Sequence, residues 1–281
     1  MIPLGTTIMF WVKMSLLFLF PPVLWSGIFT HASAAAFDYA IYQQFLEKHL
    51  IPERHVEGFQ INVVDYESIH KDIDKPDSLY NKLLKQLERF DPHTLDNVED
   101  SIAFWINAYN IGAIKMIVDH YPVDSIRSLK INWLTNPWNK KIVKIGQEIY
   151  SLGQIEHDIL LGRYKEPFIH FGIVCASLSC PDLSREVFEG PKVKEQLERR
   201  ARRFLQDRKK GLRIDKAKGE VSFSKIFKFD KKTFPKGAMD AIPLIAGFIE
   251  NDVDREYLQS KRYKVKYLDY NWSLNTLQNA Q

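Results

Sequence analysis

The chain has 281 residues, with 39 Lys plus Arg against 35 Asp plus Glu, 45% apolar and 13% aromatic residues, and two cysteines. Such a composition excludes a disordered chain, a collagen-like repeat and a disulfide-rich scaffold. A net charge of +4 over this length, with no early block of arginines or lysines, points to no nucleic-acid partner.

The first 36 residues read differently from the rest. Lys13 is the one charge before Asp38, and it precedes an apolar run over 14–30 and the small-residue stretch Ala32-Ser33-Ala34-Ala35-Ala36. A basic residue, an apolar core and an A-x-A site in that order mark a secretory signal, here residues 1–34. Pro21-Pro22 interrupts the run short of the roughly 20 apolar residues of a spanning helix. No cysteine precedes Cys175, so the signal does not end in a lipid-carrying cysteine, and no second run of spanning length follows. The expected product is exported, periplasmic or secreted, has no stable membrane span after signal cleavage, and forms one domain over residues 37–281.

Within that domain, Phe37, Ile41, Phe45 and Leu46 fall at helical spacing over 37–50, and Leu79, Leu83, Leu84 and Leu87 repeat the pattern after Pro76-Asp77-Ser78. Between them 59–66 alternates as a short strand entering a helical turn. Residues 101–120 are apolar on nearly every side, which for a helix this long means burial in the middle of the domain. Residues 142–150 predict two strands around Gly146-Gln147, and Ser151 or Gly153 begins a helix through Ile155, Ile159 and Leu160. Phe168–Ala176 is continuously apolar and bounded by Pro167 and Pro181, which predicts a buried strand. A basic amphipathic helix over 191–208 carries Arg199, Arg200, Arg202 and Arg203 on its outer face. Strands at 212–215 and 220–224, a helix near 238–250 and a strand at 264–269 complete the chain. The fold class is α+β, with helices packed around a small, mainly antiparallel sheet.

Several residues could carry chemistry. Asn107 and Asn110 share one side of the central helix and must find partners there, either as struts for neighbouring loops or as support for an oxyanion. Cys175 ends the expected strand and, as a thiolate, would need a base and an orienting group. On a regular strand His170 points to the opposite face about 16 Å away, so His157 on the upstream helix is the less constrained base. Glu156 stands beside it in sequence, and Glu148 and Glu166 are the other nearby carboxylates. In an exported chain Cys175 and Cys180 could instead close a six-residue disulfide loop, which would silence the nucleophile. A zinc set of His157, His170, Cys175 and Cys180 has no supporting spacing. No G-x-S-x-G, Walker or dinucleotide motif is present, and no cofactor or metal is expected.

Ala103-Phe-Trp-Ile-Asn-Ala-Tyr-Asn110, His120-Tyr-Pro, Pro137-Trp-Asn-Lys-Lys, Glu156-His157, His170-Phe-Gly-Ile-Val-Cys-Ala-Ser-Leu-Ser-Cys-Pro181 and Tyr270-Asn-Trp-Ser-Leu-Asn275 occur in one order. Over about residues 50–275 the chain resembles the DUF547 family, a domain of unknown function. The resemblance implies a fold similar to papain- and transglutaminase-like thiol hydrolases and a Glu/His/Cys catalytic set. Carried onto this sequence, that set is Cys175 with His170 or His157 and Glu156. Gly172 stands where alanine is usual in the family. Two functions stay open at this point: a thiol-dependent hydrolase or acyl transferase acting on amide bonds of a peptide or other cell-envelope substrate, and a non-enzymatic binding module with a Cys175–Cys180 disulfide.

Overall fold

The computed structural model describes residues 37–131 and 136–280; the expected signal over 1–34 lies outside the described residues. Helix α1 (Ala40–His49) runs into a hairpin of β1 (Leu50–Val56) and β2 (Phe59–Val64), followed by α2 (Tyr66–Lys71) and α3 (Leu79–Arg89). Helix α3 starts where Pro76-Asp77-Ser78 predicts, because the Ser78 hydroxyl accepts the Asn81 amide and satisfies one of the free donors of the first turn. Strand β1 was not expected from the sequence. Its middle is solvent-exposed and charged, and its pairing with β2 slips between Ile51 and Arg54, so it carries no alternating pattern.

Helix α4 (Val98–Val118) is the centre of the fold. Asn97 caps it by accepting the amides of Glu99 and Asp100, and every residue from Ser101 to Ile114 is buried. The helix is long and apolar enough to cross a membrane by length and composition, but here its apolar surface is spent on the protein interior. A second hairpin, β3 (Lys141–Ile145) and β4 (Glu148–Ser151), packs across it. The approach is close at Gly112, where a Cβ would stand 3.1 Å from Leu152 and 3.4 Å from Val143. Gly146 opens the hairpin turn at φ +57°, the positive value that the first position of a II′ turn requires.

After this hairpin come a π-helix, Gln154–Arg163, and a 3-10 helix, Pro167–Phe171. They are followed by α5 (Val193–Gln206), β5 (Leu212–Asp215), β6 (Glu220–Phe223), α6 (Ile226–Phe229), α7 (Ala238–Ala246), α8 (Asp252–Ser260) and β7 (Lys264–Tyr267). The architecture is α+β. In place of one sheet there are three small ones: β1–β2, β3–β4 and β5–β6–β7, the last with β7 parallel to β6. Two larger apolar clusters fill the interior. One surrounds α4; the other joins the apolar stripe of α5 to β6, α7 and Leu258 of α8.

The expected buried strand over 168–176 does not form. Pro167 and the Glu166 carboxylate, which accepts the Phe168 amide, begin a helical turn instead. Gly172 and Ile173 both donate to the Ile169 carbonyl. The run is apolar throughout because it is wedged between the two clusters, with Ile169, Ile173 and Val174 turned to α4 and Phe171 to α5 and β6. Continuous apolar character reports that two-sided burial but not the backbone conformation. Gly172 occupies the tightest part of the wedge, where a Cβ would lie 2.7 Å from Leu197 and 3.3 Å from Phe188. Gly172→Ala should therefore lower stability by about 1–2 kcal/mol through overpacking, read as a shifted denaturation midpoint.

Candidate functional site

The segment leaving the 3-10 helix is held by Asn110. Its side-chain amide donates to the Gly172 carbonyl at 3.0 Å, and its side-chain oxygen accepts the Val174 amide at 3.0 Å. Asn107 does the same for another loop, donating to the Phe188 carbonyl at 2.8 Å and accepting the Phe188 amide at 3.0 Å. Both ends of the Asn107 amide are thus engaged by backbone, and Asn107 is not among the residues lining the cleft described below. Its place in the structure is that of a strut, and the expected oxyanion role does not fit it.

Beyond the Asn110 brace the chain turns sharply. Ala176, directly after Cys175, has φ +59°, a left-handed conformation that costs a non-glycine residue about 1 kcal/mol or more. The turn is fixed from outside by the C-terminal segment: Asn275 donates to the Ala176 carbonyl, Leu178 to Ser273, and Ser179 to Asn271. This pairing brings Tyr270 over the Cys175 sulfur. Its hydroxyl lies 3.3 Å from Cys175 Sγ, and Ser177 Oγ lies 3.1 Å from the same sulfur and 3.1 Å from the Tyr270 hydroxyl.

Cys180 approaches the sulfur from the other side. Both cysteines are free thiols, with Sγ atoms 3.0 Å apart, and the Cys175 amide donates to Cys180 Sγ. The loop-closing disulfide considered from the sequence is therefore not formed in this structure. Hydrogen bonding to Cys180 is the largest influence on Cys175 and stabilises its thiolate; burial opposes it, and Ser177 and Tyr270 add to the lowering. The balance brings Cys175 down to about 7. Cys180 moves the opposite way, raised by burial and by the neighbouring Cys175 sulfur.

Cys175 lines a cleft of about 740 Å³ together with Glu156, His157, His170, Cys180, Asp230 and Tyr270. Because 168–176 is not a strand, the spacing that separates His170 from Cys175 on an extended chain no longer applies, and the two share this cleft. His170 Nε2 stands 3.2 Å from Asp230 Oδ2. The two atoms are not aligned for a hydrogen bond, so each remains without a partner although both residues are over nine-tenths buried. Asp230 Oδ1 accepts the backbone amides of Lys232 and Thr233. Burial pushes the Asp230 carboxyl up, but the contact with His170 and the hydrogen bonds from Thr233 outweigh it and hold it well below the usual range.

The π-helix delivers Glu156 to the same group. Its wider turn is seen at its end, where the Tyr164 amide reaches back five residues to Ile159; such turns are rare and recur at functional sites. Glu156 Oε2 accepts a hydrogen bond from the Tyr109 hydroxyl at 3.3 Å, and that hydroxyl accepts one from Trp138 Nε1 at 3.0 Å. Enclosure of the carboxyl raises Glu156 above the ordinary carboxylate range, against the lowering influence of His157 and His170. Glu156, His170 and Asp230 each place a ligand atom within 4.8 Å of the others, the one set among the described residues that could hold a metal ion. His157 also lines the cleft, with its buried Nδ1 unpartnered.

The raised Glu156 carboxyl has a stability consequence. The folded protein binds this proton more tightly than the unfolded chain, so the contribution is complete at low pH and is lost as pH rises through the folded value. Glu156→Gln, neutral throughout, should match the wild type in acid and be the more stable of the two at alkaline pH, as read by urea denaturation at both.

Aromatic side chains form the cleft mouth. Trp272 lies 4.5 Å from Tyr270, 5.6 Å from Phe229 and 6.1 Å from Trp138 between ring centroids, and Arg127 sits 4.9 Å above its ring. Phe229 is 48% exposed, an unusual position for a large apolar ring that also lines a cleft.

Residues 93–205 match the family model described as a protein of unknown function, DUF547. Over this segment the chain is similar to that family. No curated protein and no solved structure matches the chain. The DUF547 segment contains Tyr109, Trp138, Glu156, His157, His170, Cys175 and Cys180, whereas Asp230 and Tyr270 reach the cleft from beyond it. Of the residues singled out in the sequence, Glu156, His157, His170 and Cys175 meet in the cleft. Sequence reasoning missed Asp230, Tyr270, Tyr109, Trp138 and Ser177. All but Asp230 lie inside the motifs that carry the family resemblance; nothing local distinguishes Asp230 from the other acids of a lysine-rich stretch.

Proposed function

We propose that the protein is an exported thiol-dependent hydrolase or acyl transferase acting on amide bonds of a peptide or cell-envelope substrate, with Cys175 as nucleophile. The observation that carries this reading is the Cys175 thiol itself: it ends a strained turn, is stabilised as a thiolate by Cys180, Ser177 and Tyr270, and opens into a cleft shared with His170, Asp230 and Glu156. Export rests on the order of Lys13, the apolar run and the Ala32–Ala36 stretch.

In this reading the Cys175 sulfur attacks the carbonyl carbon of the substrate amide, forming a C–S bond and a tetrahedral intermediate. His170, with the Asp230 carboxylate 3.2 Å away, gives a proton to the leaving amine as the C–N bond breaks, which leaves a thioester on Cys175. Water, or a second amine in a transferase, then attacks the thioester while His170 takes up its proton, and the thiolate is released. His170 is preferred to His157 as the proton carrier because it alone has a carboxylate 3.2 Å away. Burial raises the Glu156 carboxyl and so favours its protonated form, which would supply a hydrogen bond to the substrate or to the imidazole.

The test is to incubate the protein with amide-bearing peptides and envelope glycopeptides, quench in acid and measure the intact mass. The reading predicts an acyl adduct on Cys175 and a turnover reduced about 10²–10⁴-fold in His170→Gln. Turnover without an adduct, and unchanged by His170→Gln, would overturn it.

A further inference from the structure

We propose that Cys175 and Cys180 form a peroxide-reactive dithiol: a hydroperoxide entering the cleft oxidises Cys175, and Cys180 resolves the product into a reversible disulfide that closes the thiol site. The proposal deepens the reading of Cys175 as the nucleophile by naming how that nucleophile is turned off and protected. It rests on the placement of the second sulfur.

Cys180 is buried in the α4 cluster but does more than pack. Its sulfur lies 3.0 Å from Cys175 Sγ, accepts the Cys175 backbone amide at 3.1 Å and faces the same cleft. For a bond, the two sulfurs need to close by about 1 Å to the usual 2.05 Å. The intervening turn is pinned to the C-terminal segment through Ala176, Leu178 and Ser179, so the sulfurs are held together rather than meeting by chance. A thiolate that opens to a cleft beside a second thiol is the arrangement in which a sulfenic acid is captured before it oxidises further.

The chemistry balances with the hydroperoxide as the only oxidant. The Cys175 thiolate attacks the distal peroxide oxygen; an S–O bond forms, the O–O bond breaks, and the alkoxide (hydroxide from hydrogen peroxide) leaves with a proton. Ser177 Oγ and the Tyr270 hydroxyl, 3.1 and 3.3 Å from the sulfur, are the donors placed to supply that proton. Cys180 then attacks the sulfenic sulfur, the S–S bond forms, and water departs. Two electrons pass from the thiol pair to the peroxide, and a small-molecule dithiol restores both thiols.

The experiment treats the reduced wild-type protein, Cys180→Ser and Cys180→Ala with one equivalent of hydrogen peroxide, followed by intact-mass analysis and iodoacetamide labelling before and after dithiothreitol. The wild type should lose two hydrogens, refuse iodoacetamide at both cysteines, and recover full labelling with dithiothreitol. Either variant should instead gain one oxygen at Cys175, trapped by dimedone, and with a second equivalent of peroxide progress to an oxidised form that dithiothreitol does not restore. Wild-type protein that gains oxygen at Cys175 while Cys180 stays alkylatable, or that takes up no oxidising equivalent, overturns the proposal. Labelling of Cys175 in the untreated, reduced protein keeps the two ideas apart: if Cys175 is alkylated readily yet peroxide gives no disulfide, only this inference fails, whereas an inert Cys175 sinks the thiol-enzyme reading as well.

Discussion

Cys175→Ser should abolish turnover, by about 10⁴-fold or more, while the protein still folds and melts close to the wild type. Serine conserves the volume of the buried position and can use the same Ser177 and Tyr270 hydroxyls as partners, so the stability change should stay within about 1 kcal/mol. What it loses is the thiolate. A serine hydroxyl is not ionised near neutrality, and among the described residues no base is within hydrogen-bond distance of the Cys175 side chain to take its proton; its contacts are Cys180, Ser177 and Tyr270. Activity against an amide substrate together with a thermal melt reads both halves. Retained activity would mean that the cleft works through another group.

The largest single loss of stability near the site should come from Asp182→Ala, about 3–5 kcal/mol. Asp182 follows Cys180-Pro181 and is itself buried. It accepts a 2.6 Å contact from Lys210, whose side chain is 3% exposed, and lies 3.5 Å from Arg203. Arg200 belongs to the same group. Placed on the outer face of the basic helix by its sequence spacing, it is instead partly buried, and burial lowers it to about 10 despite the attraction of Asp182. Removing the carboxylate leaves Lys210 charged and without a partner in the interior, whereas Arg203, about half exposed, can turn to water. The double variant Asp182→Leu with Lys210→Met should recover most of the loss, since replacing both ions by apolar groups removes the desolvation penalty as well as the attraction. Urea denaturation of Asp182→Leu, Lys210→Met and the double variant measures that coupling; strict additivity would contradict the pairing.

The sequence made the helices legible where their burial was one-sided or complete. The start of α3 after Pro76-Asp77-Ser78 and the burial of α4 follow from residue order alone, whereas the start of α4 at Val98 and its Asn97 cap lie ahead of the expected start at 101. The hairpin at Gly146 was equally plain, because a glycine between two short alternating runs marks a tight turn whose first position needs a positive φ. Where the sequence misled, one physical cause recurs. Phe168–Ala176 is apolar because it lies between two clusters, and two-sided burial looks the same for a strand and for a helical turn. That single misreading carried the site with it. An extended chain puts His170 far from Cys175 and favours His157, whereas the 3-10 helix begun by Glu166 and Pro167 turns His170 into the cleft beside Asp230.

Contacts distant in sequence were the other gap. Tyr270 reaches Cys175 across 95 positions by pairing of the C-terminal segment with 176–179, and Asp230 reaches His170 from the end of α6. Neither placement has a local signature. Asn107 and Asn110 show the same limit from the opposite side: their burial on one helix face was evident, but whether each amide met a substrate or a loop depended on the loops at 172–174 and 188.

The most direct test of the site is the rate of iodoacetamide labelling at Cys175 in the reduced protein as a function of pH, followed by peptide mass spectrometry with a urea-unfolded control. A rate that rises with a midpoint near pH 7, at least one unit below that of the unfolded control and ahead of Cys180, is the predicted result. A midpoint at the ordinary thiol value, or labelling of Cys180 before Cys175, would contradict the account of Cys175 as an activated nucleophile.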